Sequence, residues 1–87
     1  MSQKDDLIER LKNRPKDFGL RELERLMALC NCRKSNAGKT SGSAMKFTHV
    51  ADGKKSVFSF HKPHPENTVK RYIIDAAIDF LKEIGEI

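Results

Sequence analysis

A two-layer α+β domain is the fold class that this sequence predicts, and three observations carry the prediction. Apolar residues recur at helical spacing from Val69 to Ile84, the signature of one buried helix face. Two runs of alternating character flank Asp52-Gly53, a dipeptide suited to a two-residue hairpin turn. The chain has 87 residues, of which 38% are hydrophobic and none is Trp, so it supports one small core in a single domain, residues 1–87. An antiparallel sheet of two to three strands covered by helices satisfies all three.

Each element follows in order. From Lys4 to Asn13, Leu7, Ile8 and Leu11 fall at helical spacing, and Pro15 stops the run. Residues 1–17 thus form an N-terminal helical extension ahead of an α-β-β-β-α core at 18–87. The second helix spans Leu20 to Cys30, with Leu20, Leu23, Leu26, Met27 and Cys30 on one stripe and Arg21, Glu22, Glu24 and Arg25 outside. Gly19 is its N-cap, with Glu22 where a capping box places its acid. Cys32 to Ser35 offers a weakly signalled strand, and a Gly/Ser loop follows from Ser35 to Ser43. The Asp52-Gly53 turn sets a register in which Phe47 faces Phe58 and Met45 faces Phe60, both on one face. The other face carries Ala44 across from His61, Lys46 across from Ser59 and Thr48 across from Val57. The last helix, capped by Asn67 or Thr68, places Val69, Tyr72, Ile73, Ala76, Ala77, Phe80, Leu81 and Ile84 over the Phe/Met face.

The net charge of +5 is unevenly placed. Residues 33–71 hold nine basic and two acidic side chains, whereas residues 72–87 hold one basic and four acidic. A basic middle on a small fold is the electrostatic footprint of a phosphate-backbone binder, the plain alternative being a solvated basic surface. The apolar runs are too short for a membrane span, and MSQKDDLIERL lacks the apolar region of a signal peptide. Cys30 and Cys32 stand one residue apart, a poor disulfide, so reduced thiols in a cytoplasm are expected. Combined with His61 and His64 they miss the usual zinc-ligand spacings, so no metal site is expected.

Three places could carry chemistry. Gly38-Lys39-Thr40 resembles part of a phosphate-binding loop, but position 33 is Arg where the full motif needs Gly, which excludes a nucleotide hydrolase. Lys39, Thr40, Ser41 and Ser43 remain candidate phosphate donors, unless the loop is simply a loop. Lys70 and Arg71 sit in the first turn of the last helix, against its dipole, where an anion would offset them. His61 and His64, beside Lys62, suit metal-free RNA cleavage: one group takes the ribose 2′-OH proton, another protonates the leaving 5′-oxygen, and a cation stabilises the phosphorane. The plain reading of His64 is a cap on the following helix. His49 is placed on the core side near the hairpin's open end, with no function.

From Phe18 onward the chain resembles the HicA family of bacterial toxins. The matching residues are Leu-Arg-Glu-Leu-Glu-Arg-Leu-Met at 20–27, Gly-Lys-Thr-Ser-Gly-Ser at 38–43, Lys46 and Phe47, Phe60-His-Lys-Pro-His-Pro65, Val69-Lys-Arg-Tyr and Phe80-Leu81. The resemblance covers about 70 residues in one order. It implies a double-stranded-RNA-binding-like fold and a ribosome-independent endoribonuclease, an mRNA interferase of a stress-response toxin–antitoxin system. It also implies a HicB-type antitoxin as partner, a bacterial or archaeal cytoplasm, and no membrane or small-molecule cofactor. The family's catalytic His directly follows Gly-Ser, and here that position is Ala44. Either His61, across the hairpin, takes its place, since Cβ atoms of facing residues lie roughly 5 Å apart, or the chain is a catalytically inactive RNA-binding module. The expected RNA surface is the open sheet face with Lys46, the 38–43 loop, Lys62 and the start of the last helix. A protein-interaction domain with a basic face for an acidic partner is the third reading.

Overall fold

The computed structural model describes residues 2–36, 44–61 and 68–87. The elements run α1 (Gln3–Lys12), α2 (Leu20–Leu29), β1 (Arg33–Asn36), β2 (Ala44–Ala51), β3 (Lys54–His61) and α3 (Arg71–Glu83). The strands form one antiparallel sheet in the order β1-β2-β3. The expected α+β class therefore holds, and the weak segment after Cys32 is a real edge strand.

The hairpin is set by its turn. Asp52 and Gly53 both have positive φ, 53° and 77°, as a type I′ turn requires. Met45 pairs with Phe60 and Phe47 with Phe58, in the register expected. All four side chains are buried. Phe58 is the centre of an aromatic cluster, with ring centroids 6.4 Å from Phe47, 5.2 Å from Phe60 and 5.5 Å from Phe80. His49 shares the core-side face, but it pairs with Ser56 close to the turn. It stands at the closed end of the hairpin, not the open end.

The helices close the other side of the core. Ile8 and Leu11 of α1, Leu20, Leu23, Leu26 and Met27 of α2, and Phe18 between them join the same cluster as the sheet. Arg10 fixes this corner. Its guanidinium donates to both carboxylate oxygens of Glu22, to the carbonyl and carboxylate of Asp17, and lies 5.5 Å from the centroid of the Phe18 ring. Glu22 Oε1 in turn accepts the Gly19 N–H at 3.1 Å, so the acid half of the expected capping box is present. The second helix ends at Leu29, with Cys30 as its C-cap.

The start of α3 differs from expectation. Its N-cap is Lys70 rather than Thr68, and Asn67 lies outside the described residues. Thr68 instead bridges Gly19, and the Val69 N–H donates to the Phe18 carbonyl at 2.9 Å. This extended tie to the α2 entrance delays the helix, while Val69 and Ile74 are buried at the two positions of a hydrophobic staple. The buried arc of α3 is also turned. Ile73, Ile74, Ala77, Phe80 and Leu81 are buried, whereas Ala76 is exposed and Tyr72 is 63% exposed. The physical reason is a second neighbour. α3 packs on α1 as well as on β3, so its buried arc is shared between two neighbours, and Arg14 after α1 pairs with Asp75 at 2.8 Å. No helix of the described residues is long and apolar enough to cross a membrane.

Candidate nucleic-acid interface

The two faces of the sheet differ because side chains alternate. The helix-covered face takes Met45, Phe47, Phe58 and Phe60, together with Lys34, which pairs with Phe47 and reaches Glu24 of α2. The opposite face is open. Register places Arg33, Lys46, Thr48, Val50, Lys55, Val57, Ser59 and His61 on it. Arg33, Lys55, Ser59 and His61 are exposed, and Lys46 and Thr48 are half-buried. No acidic residue falls on this face among the described residues.

Within that face the groups sort by position. Lys46 faces Ser59 directly and His61 diagonally, while Arg33 faces Thr48 from β1. His61 ends β3 and pairs with Ala44 at the start of β2. The exposed apolar residues Val50 and Val57 lie toward the turn. The face therefore grades from an apolar end to an end with a lysine, a hydroxyl and an imidazole.

α3 brings a second set of groups to the His61 end. Glu83 lies with Lys54 and Ser56 near the turn, and Ala76 and Asp79 lie beside Val57 to Ser59. The helix thus runs antiparallel to β3, and its first turn is directed toward the His61 end. Lys70, Arg71 and Tyr72 are all exposed there. Lys70 is the cap and Arg71 the first helical residue, so only Arg71 lies within the first turn where both were expected.

Of the sequence-predicted residues, the structure places Lys46 and His61 on the open face, and Lys70 and Arg71 in the helix layer behind it, at the start of α3. His64, Lys62, Lys39, Thr40, Ser41 and Ser43 lie outside the described residues, as does the expected 38–43 loop. Arg33, Lys55 and Tyr72 were not picked out from sequence. The pairing of β1 with β2 assigns Arg33 to the face, and the hairpin register already present in Asp52-Gly53 assigns Lys55.

The cysteines take no part. Both thiols are free, and burial pushes Cys30 up to about 11 and Cys32 up to about 12, so both stay protonated near neutrality and are poor nucleophiles or ligands. Among the described residues no group of three or more His, Cys, Asp or Glu is placed to hold a metal ion. Comparison of the chain with family models, curated proteins and solved structures returned no match.

Proposed function

We propose that this chain is a HicA-like RNA-binding toxin that holds mRNA on its open sheet face and cleaves it as a ribosome-independent endoribonuclease, without metal or cofactor. The observation that carries the reading is the open face with Arg33, Lys46, Lys55 and His61, on which no acid falls among the described residues. Phosphates would lie on the cations, and His61 would move the proton at the scissile ribose. Lys46, diagonal to His61, would stabilise charge on the phosphorane. The double-stranded-RNA-binding-like identity of the fold, a bacterial or archaeal cytoplasm and a HicB-type antitoxin as partner belong to the same proposal and rest on the sequence resemblance.

A second reading is favoured by one specific observation. The residue paired with His61 is Ala44, the position at which the resembled family carries its catalytic His. On that reading the chain binds RNA and does not cut it. Cleavage of a mixed-sequence RNA in EDTA by the purified chain, by His61→Ala and by Ala44→His separates the two. Product from the unaltered chain that disappears in His61→Ala supports the enzyme. Product only from Ala44→His supports the inactive binder, and absence of salt-dependent RNA binding removes both.

A further inference from the structure

The outer edge of β3 and the flank of α3 beside it form a second surface, separate from the open face. In a two-residue hairpin the residues flanking the turn exchange both backbone hydrogen bonds. Here those residues are Ala51 and Lys54. Pair types then alternate, so the backbone groups of Lys54, Ser56, Phe58 and Phe60 face β2, and those of Lys55, Val57, Ser59 and His61 point outward. β3 ends the sheet, and no strand of the described residues takes up these outward N–H and C=O groups.

Beside this edge runs a groove of about 400 Å³ between Val57, Phe58 and Ser59 on one side and Ala76, Asp79, Phe80 and Glu83 on the other. Phe58 and Phe80, 5.5 Å apart by ring centroids, give it an apolar floor. Asp79 and Glu83 make it acidic, and neither has an ion-pair partner among the described residues. Among the described residues no basic side chain lines it. Edges of this kind are usually blunted by charge, proline or a bulge. Lys54 and Lys55 do so at the turn, but the pairing from Ser56 to His61 runs without a bulge or proline.

We propose that this edge receives an extended, lysine- or arginine-bearing segment of a partner protein, added to the sheet as a fourth strand. The outward backbone groups of Lys55, Val57, Ser59 and His61 supply the main-chain bonds. Alternate side chains of the added strand point toward α3. Long basic residues fit there, with their stems on Phe58 and Phe80 and their cations against Asp79 and Glu83. A second copy of this chain fits less well, because edge-to-edge pairing about a two-fold axis sets two Asp79–Glu83 flanks together. Nucleic acid is repelled by the same acids. The proposal does not rest on the RNA reading.

The probe is a capped alternating Val-Lys peptide of the length of β3, titrated into the full chain and followed by amide hydrogen exchange and calorimetry. The amides of Lys55, Val57, Ser59 and His61 should become protected. The double change Asp79→Asn with Glu83→Gln should weaken binding about threefold to tenfold, as the loss of two exposed charge pairs predicts. Val57→Pro removes an outward donor without touching the β2–β3 ladder and should abolish binding. A peptide N-methylated at alternate positions tests the same bonds with the protein unaltered, and it too should fail. The proposal is overturned if the four amides stay unprotected, if a Val-Glu peptide protects them equally, or if the free chain self-associates through them.

Discussion

Ala44 and His61 are partners across the open end of the β2–β3 hairpin. Theirs is a pair without direct backbone hydrogen bonds, the kind in which Cα atoms approach to about 4.5 Å. Substitution at 44 therefore acts on the surroundings of His61 directly. Ala44→His should place a second imidazole beside the first and raise RNA cleavage by about 10²-fold or more, the range of a positioned acid or base. His61→Ala should abolish whatever cleavage the unaltered chain shows while leaving RNA affinity nearly unchanged. Gel assays of product and binding on the same RNA give both quantities.

The cationic face makes a quantitative statement about salt. Each phosphate contact to single-stranded RNA contributes about 0.7 to the slope of log affinity against log salt concentration. Arg33→Gln and Lys46→Gln, both on the open face, should each lower the slope by about that amount. Lys70→Gln with Arg71→Gln should lower it by about twice as much. Titrations of fluorescent RNA at several salt concentrations read the slopes. An unchanged slope would show that the residue in question holds no phosphate.

Tyr72 gives a test that charge does not. It is 63% exposed on the first turn of α3, so its ring contributes little to the core. Base–aromatic stacking is worth about 1–3 kcal/mol per base. Tyr72→Ala should weaken RNA binding by roughly that energy with the salt slope unchanged, while Tyr72→Phe retains the affinity. The melting temperature should stay within a few degrees of the parent in both variants.

Much of this fold was legible because local signals set it. Asp52-Gly53 fixed the hairpin register, and with it the separation of Met45, Phe47, Phe58 and Phe60 from Lys46, Ser59 and His61. The α2 stripe was legible for the same reason, since α2 buries one face. α3 was misread at its start and in its phase. The start depends on the bridge from Thr68 to Gly19, a contact between distant parts of the chain. The phase depends on α1 as a second neighbour, which exchanges Tyr72 for Ile74 in the core. Periodicity cannot report either. At the candidate site, Arg33 stayed hidden because β1 is short and its pairing partner is known only once the sheet is built.

The α1 contribution to the core predicts a large loss on truncation of a single side chain. Leu11 is fully buried in the cluster that joins the helices to the sheet. Leu11→Ala should cost about 2–5 kcal/mol, a large part of the stability of a domain of this size. Urea denaturation followed by circular dichroism measures it. A loss below about 1 kcal/mol, the size expected of a surface change, would mean that α1 is an appendage rather than part of the core.

Acid should loosen the corner that Arg10 holds. The Arg10 guanidinium, and then the Gly19 N–H, keep the Glu22 carboxyl below its ordinary range, against an opposing effect of partial burial. In the unfolded chain a glutamate titrates near about 4.3. The unfolded state therefore binds more protons through the acid range, and stability rises with pH there. The contribution of Glu22 is fully present above the unfolded pKa and is lost as pH falls through the lower folded value. Both partners are over one-third exposed, so solvent screening holds the contribution to about 1 kcal/mol, including the N-terminal cap. Glu22→Gln should thus lower the urea midpoint at pH 7 and flatten the decline between roughly pH 5 and pH 3. Parallel curves for the two proteins across that interval would place the acid sensitivity elsewhere, at the other carboxylates paired with cations, Asp17, Glu24, Asp75 and Glu86.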